Sequence, residues 1–271
     1  MPVVTVHAYR GGNGKSSVAV NLSYFLAKKG YKVAVIDSDM QAPSLQHFLS
    51  KYDRDPAEPE KLFPEFMLYL SIPFEDTLAR AHVADVELIA SFSARIEDLD
   101  IMLLGAVQSV APTELESEIQ YERMRDAISI LTKKYGCDYV VIDTTPGVQR
   151  YSLMQTAGVA DIVLHIIRDH EFEYAQSHWV LDPSRQILEE RSRREAAFFS
   201  CKVVINEAIG KKYVGRLKKA KIPEDIVLCV IPFYEDLRTE DNPGVFAADH
   251  PDHSYARDML RLTDDMVQLG K

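Results

Sequence analysis

A glycine-rich loop between a β-branched run and an apolar helical segment constrains this chain more than any other feature. The run Val3–Val6 predicts a strand, and residues 16–29 carry apolar side chains at helical spacing. Between them lie glycines at positions 11, 12 and 14, followed by Lys15. Glycines let backbone N–H groups converge on an anion, and the positive end of the helix dipole adds to the attraction. The order of strand, loop and helix therefore predicts a phosphate cradle.

The polar residues of this loop have predicted roles in nucleotide binding. Lys15 would hold the β- and γ-phosphates, and Ser16 would offer its hydroxyl to Mg²⁺. We expect the phosphates to be bound by the whole loop, which comprises Gly11, Gly12, Asn13, Gly14, Lys15, Ser16 and Ser17. The strict P-loop pattern has a further glycine where this chain has Tyr9. The alternative is an ordinary glycine-rich turn.

Acidic residues follow two of the predicted strands. Strand 31–37 ends in Asp37, with Asp39 two residues later, and the apolar strand 138–143 ends in Asp143. Because open parallel sheets bind ligands at the carboxyl ends of their strands, these carboxylates should lie beside the loop. An aspartate at the end of such a strand is typical of the second Mg²⁺ element of a nucleotidase, and Asp143 is the candidate. For Asp39 the alternative is a carboxylate that caps a turn.

The rest of the chain alternates between predicted strands and helices. Strands are expected at 83–91, 99–104, 160–167, 202–206 and 227–231, and helices at 114–134, 174–194 and 255–269. This alternation is typical of an α/β fold with a mostly parallel sheet and helices on both faces. We expect a single domain over residues 1–271, with an irregular insertion at about 50–85.

Five motifs, in order along the chain, resemble those of the MinD/ParA family of deviant Walker A P-loop ATPases. They are Arg10 to Ser17, Val35 to Asp39, Val141 to Gly147, Val204 to Asn206 and Val230 to Pro232. The resemblance implies that Asp39 positions the attacking water, that Asp39 and Ser16 belong to the metal site, and that Asp143 is the metal aspartate. It also implies that Asn206 reads adenine and that Pro232 flanks the base. An asparagine that only satisfies a strand end is the alternative for Asn206.

The resemblance also implies a function. Members of the family hydrolyse Mg-ATP, form ATP-bound homodimers that alternate with monomers, respond to protein partners and position or partition a cargo. Arg10 stands where the family has a lysine that reaches the phosphates of the partner subunit, so we expect Arg10 to act in catalysis together with Lys15.

Other functions compete with this one. A nucleotide-binding scaffold with little turnover is the alternative, because Tyr9 and Arg10 depart from the usual loop. A GTPase or small-molecule kinase is less favoured, since the chain has no Asn-Lys-x-Asp guanine motif. Metal-cluster carriers of the same clan need paired cysteines, which the sequence lacks.

Composition and charge bear on location and partners. The 41 acidic against 31 basic residues argue against a wholly basic surface, but six cations lie between Lys211 and Lys221. They predict non-specific DNA binding, with a solvated helix face as the alternative. Cysteines 137, 201 and 229 have no CxxC spacing and are expected to be reduced, as in a cytoplasmic protein. The sequence has neither an apolar run of 18 residues nor a basic amphipathic end, so we expect no membrane anchor.

Overall fold

A computed structural model describes residues 2–39, 44–45, 48, 93–96, 99–104, 114–133, 135–239 and 244–269. Within these ranges eight strands form one sheet. They are β1 Val3–His7, β2 Val33–Asp37, β3 Ser93–Ile96, β4 Leu99–Leu104, β5 Tyr139–Asp143, β6 Ile162–Arg168, β7 Ser200–Ala208 and β8 Val227–Pro232. Their order across the sheet is β3-β4-β2-β5-β1-β6-β7-β8. Neighbouring strands are parallel except β3 and β4, which are antiparallel.

Helices connect the strands. In the described ranges they are α1 Lys15–Lys28, α2 Glu114–Lys133, α3 Arg150–Leu153, α4 Glu171–Gln176, α5 His178–Glu195, α6 Lys212–Lys219, α7 Asp236–Thr239, α8 Phe246–Asp249 and α9 Ser254–Leu269. A π-helical turn, Met154–Gly158, continues α3, and a 3-10 turn spans Glu224–Ile226. None of the described helices has both the length and the hydrophobicity to cross a membrane.

The core lies on both faces of the sheet because alternate strand residues point in opposite directions. On one face, Val4 and Val6 of β1 pack in a cluster with residues of α1, α8 and α9. On the other face, Val3 packs with Ile142 of β5 and Met124 of α2. The two-residue period places Thr5 and His7 on the same face as Val3. Helices thus cover both faces, which confirms the predicted α/β fold.

One predicted helix differs in detail, and one strand was not predicted. The helix expected at 174–194 is two helices, α4 and α5, separated by Ser177, where the Glu173 carbonyl accepts both the backbone N–H (2.9 Å) and the hydroxyl (2.6 Å) of Ser177. Strand β3 was not predicted, because Ser-Ala-Arg-Ile is not rich in the residues that favour strands. The strand predicted at 83–91 and the insertion at about 50–85 lie outside the described residues.

Candidate nucleotide site

The predicted phosphate cradle lies where β1 passes into α1. Gly12 and Gly14 have φ angles of 79° and 85°, in the left-handed region that favours glycine, and α1 begins at Lys15. A Cβ atom at Gly14 would also displace the side-chain amide of Asn206, but it is the left-handed conformation that requires glycine there. The loop therefore has the backbone geometry that its glycines predict.

Lys15 and Asp39 form a buried ion pair at the centre of the cradle. Nζ of Lys15 lies 3.8 Å from Oδ2 of Asp39, and the two side chains are only 5% and 7% exposed. Asp39 follows β2, so the strand brings its carboxylate to the loop as predicted from the parallel order. The positive charge of Lys15 is thus balanced within the chain, by a carboxylate that an anionic ligand can replace.

Ser16 and Asp143 meet on the other side of the loop. Oγ of Ser16 donates a hydrogen bond of 2.5 Å to Oδ2 of Asp143 and accepts one of 2.8 Å from Oγ of Ser44. Among the residues that the structure describes, the second carboxylate oxygen of Asp143 is buried and has no hydrogen-bond partner. Burial raises the pKa of Asp143 to about 6, although the charge of Lys15 and the Ser16 hydrogen bond act to lower it.

This pair of oxygen donors fits Mg²⁺, which prefers carboxylate and hydroxyl oxygens and keeps several water ligands. The orphaned oxygen of Asp143 is a position at which a cation, or water bound to it, would be stabilised. Within the described residues, no group of three or more His, Cys, Asp and Glu side chains could hold a metal ion by itself. Water and the phosphate oxygens of a nucleotide would complete the coordination.

Asp37 organises the segment that carries Asp39. Its carboxylate accepts backbone N–H groups of Asp39 at 3.0 Å and of Ser44 and Leu45 at 2.9 Å each. Burial, and next the charge of Asp143, raise the pKa of Asp37. From the sequence we expected Asp37 beside the loop but did not predict that it accepts these backbone N–H groups. Its position at a strand end could have indicated this, since an aspartate there commonly accepts hydrogen bonds from the turn that follows it.

A cleft of about 740 Å³ opens beside the loop at the carboxyl ends of the strands. Its lining includes Arg10, Asn13, Pro146, Arg168, Glu207 and Phe233. Pro232 is the exposed last residue of β8 and lies directly before Phe233, and Asn206 precedes Glu207. Nδ2 of Asn206 donates to the carbonyl of Asn13 (3.0 Å), so it supports the loop. The reading of adenine by Asn206 stays a prediction.

Helix α4 contacts the loop through side chains that sequence reasoning missed. Nδ2 of Asn13 donates to Oε2 of Glu173 at 3.0 Å, and the Arg10 guanidinium lies over the Phe172 ring, 4.6 Å from its centroid. Arg10 itself is exposed. No local pattern marks Phe172 or Glu173, because their proximity to the loop depends on β6 lying next to β1.

The basic run forms α6 and the turns at its ends. Arg216 is paired with Asp169 at 2.6 Å, and Lys219 with Glu171. The other four cations are exposed and form no ion pair within the described part of the chain. They are Lys211, Lys212, Lys218 and Lys221. Four unpaired charges leave both predicted readings of the run open, DNA binding and a solvated helix face.

The chain is similar to curated proteins over part of their length. It is 28% identical over 145 residues to the iron-sulfur cluster carrier protein of Haemophilus influenzae, a match that covers 54% of this chain and 32% of that protein. The iron-sulfur cluster carrier proteins of Salmonella typhimurium and Pyrococcus abyssi also match over only part of their length, 16% and 43% respectively. The chain thus spans less than half the length of these relatives.

Solved structures share the fold across nearly the whole chain. The septum site-determining protein MinD of Pyrococcus horikoshii, complexed with Mg-ADP, superposes with a TM-score of 0.65 at 16% identity, covering 99% of this chain and 97% of that one. A plasmid partition protein of Borrelia burgdorferi superposes with a TM-score of 0.60 at 18% identity, covering 99% of each chain. At these identities the likeness concerns the fold.

Family membership rests on a family model that matches residues 1–177, well over half of the 271 residues, and is described as an AAA domain. The matched range contains the phosphate-binding loop, Asp39 and Asp143, which the structure brings together. The chain therefore belongs to this AAA domain family, and its fold is that of solved MinD and plasmid partition proteins, in line with the resemblance of its motifs to the MinD/ParA family.

Proposed function

We propose that this protein binds Mg-ATP in the cradle, hydrolyses it, and uses the cycle to alternate between a monomer and an ATP-bound homodimer. One observation carries the proposal: Lys15, Ser16, Asp39 and Asp143 converge in one site, in which all but the half-buried Ser16 are buried, although they come from three separate parts of the chain. A protein partner that stimulates turnover belongs to the proposal, as the family resemblance implies.

The Lys15–Asp39 pair suggests how ATP would prepare the site. A bound phosphate competes with Asp39 for Lys15, and a phosphate is the more highly charged partner. Once Lys15 contacts the phosphate, the carboxylate of Asp39 would accept a hydrogen bond from water and orient it. Ser16 and Asp143 would hold Mg²⁺, which neutralises phosphate charge when bound. The ion pair therefore keeps both groups in place before ATP arrives.

Measured phosphate release and ATP binding test this proposal. Lys15→Ala should abolish ATP binding, whereas Asp39→Ala should bind ATP without turnover. Lys29→Ala is the matched control, because it removes the same charge from the other end of α1, where Lys29 pairs with the exposed Asp264. Normal binding by a folded Lys15→Ala protein would overturn the proposed site. ATP binding without phosphate release by the wild type, with or without partners, would favour the nucleotide-binding scaffold.

For the cargo, we favour positioning or partitioning over carriage of a metal cluster. The names of the curated relatives point to iron-sulfur clusters. Cluster ligation needs thiolates, and burial raises the pKa of Cys137 to about 11 and that of Cys201 to about 12. Cys137 and Cys229 are both buried, and they pack in different parts of the core, Cys229 in the cluster with α1 and Cys137 in the cluster with α2.

Anaerobic reconstitution with iron and sulfide distinguishes the two cargoes. We expect no stoichiometric cluster and an absorption spectrum identical to that of a variant in which all three cysteines are serine. A cluster that the wild type binds and this variant does not would make this chain a cluster carrier.

A further inference from the structure

His7 connects β1 to the segment that follows Asp143. It is the last residue of β1 and is fully buried. Its Nδ1 lies 2.6 Å from Oγ1 of Thr144, and its Nε2 lies 3.0 Å from the carbonyl oxygen of Gly147. The next residue, Ala8, accepts the backbone N–H of Gly147 at 3.0 Å. Residues 7 and 8 thus hold the Gly147 residue through both its N–H and its carbonyl.

The hydrogen bonds of His7 are compatible with one neutral tautomer. Burial, together with the neighbouring His165, lowers the pKa of His7 to about 3, so its ring carries a single N–H at neutral pH. The carbonyl of Gly147 can only accept, which places that hydrogen on Nε2. Nδ1 then accepts from the hydroxyl of Thr144. The same hydroxyl also lies 3.0 Å from the carbonyl of Val6, but its single hydrogen cannot serve both acceptors. The Val6 carbonyl already accepts the backbone N–H of Thr144, so we assign the hydroxyl hydrogen to Nδ1.

The segment held by His7 begins directly after the proposed metal residue. Thr144 follows Asp143, and Gly147 has a φ of 112°, a conformation that other residues rarely adopt. We infer that His7 is a positioning residue, which fixes residues 144–147 and through them the carboxylate of Asp143. This inference rests on the proposed ATP hydrolysis. Because His7 is not among the residues that line the cleft and acts only through residues 144–147, its loss should lower turnover more than ATP affinity.

Three substitutions separate the two hydrogen bonds of His7. His7→Gln can still donate to Gly147, since its amide nitrogen reaches about as far as Nε2, whereas His7→Asn can accept from Thr144 only. His7→Leu makes neither bond. The matched control is His165→Leu, because His165 is the neighbour of His7 in the β1–β6 pair, is equally buried, and has no hydrogen-bond partner for its ring within the described residues.

Steady-state kinetics of Mg-ATP hydrolysis provide the main test. We expect His7→Leu and His7→Asn to lower kcat by about 10- to 100-fold, as misplaced catalytic groups do, with ATP affinity within about threefold of wild type. His7→Gln should retain most of kcat, and His165→Leu all of it. The inference is overturned if His7→Leu loses no more kcat than His165→Leu, or if His7→Gln is as impaired as His7→Leu.

Amide hydrogen exchange keeps the inference testable even if the wild type does not hydrolyse ATP, a result that would refute the proposed function alone. The N–H of Gly147 should exchange at least about tenfold faster in His7→Leu and His7→Asn than in wild type, and at the wild-type rate in His7→Gln. Equal exchange in all four proteins would show that His7 does not hold this segment.

Discussion

Replacement of Arg10 by alanine should abolish ATP-driven dimerisation and reduce turnover by orders of magnitude. Arg10 occupies the position of the family's lysine, and in the structure its guanidinium stacks on Phe172 at the rim of the cleft. From there it could reach the phosphates of a partner subunit as an arginine finger. The stack raises a competing view, in which Phe172 is the true partner of Arg10 and holds it away from any phosphate.

The energies of the two interactions decide between these views. Arg10 is exposed and Phe172 is 41% exposed, so their contact is worth only about 0.5–1 kcal/mol, or a factor of about two to five. An arginine that stabilises phosphoryl transfer is worth about a thousandfold in kcat or more, which corresponds to about 4 kcal/mol. The stack is therefore too weak to withhold Arg10 from a phosphate.

Sedimentation velocity with a slowly hydrolysed ATP analogue, combined with phosphate release at rising protein concentration, provides the assay. The wild type should dimerise and its specific activity should rise with concentration, whereas Arg10→Ala should bind ATP but stay monomeric and inactive. Arg10→Lys should keep part of both activities, because the charge remains while the planar fork is lost. Phe172→Ala, the matched control, should change kcat by no more than about fivefold.

Three results would refute this reasoning. A wild type that stays monomeric with the analogue would exclude the action of Arg10 in trans. A loss of activity in Phe172→Ala as large as that in Arg10→Ala would mean that the stack, not a phosphate contact, is what matters. Dimers in both wild type and Arg10→Ala would show that other contacts hold the subunits together.

Three further predictions concern stability, protons and DNA. Asp37→Ala should lower the free energy of unfolding by about 2–4 kcal/mol in urea denaturation, since three backbone N–H groups lose their acceptor; an unchanged midpoint would contradict this. Because burial raises the pKa of Asp143 to about 6, its stabilising contribution before nucleotide binding is present at acid pH and declines as pH rises through that value. Mg-ATP binding should accordingly release protons near pH 6 and few at pH 8. Calorimetry in buffers of different ionisation enthalpy measures this release, and a binding enthalpy at pH 6 that does not depend on the buffer would contradict the assignment. If the basic run binds DNA, reversing the exposed charges of Lys211 and Lys218 should weaken binding to every DNA sequence. The slope of log affinity against log salt concentration should fall by about 0.9 for each phosphate that is no longer neutralised. No binding by the wild type at low salt with ATP would mean that α6 is only a solvated helix.

Much of the candidate site could be predicted from the sequence because its residues belong to local patterns. The glycines, Lys15 and Ser16 lie in one loop, and Asp39 and Asp143 each follow an apolar strand. Parallel strands bring their carboxyl ends to one edge, so local patterns were enough to place these groups together. Element boundaries were less predictable, as the break between α4 and α5 at Ser177 shows, because neither glycine nor proline marks this position in the sequence.

The sequence by itself thus determined the cradle, the alternation of strands and helices, and the family. Only the tertiary structure decided which side chains support the cradle. His7 meets Thr144 and Gly147 across 137 and 140 residues, and Asn13 meets Glu173 across 160. These contacts exist because β5 and β6 flank β1 on its two sides. Strand order is set by the packing of the whole sheet, and periodicity along the chain carries no information about it.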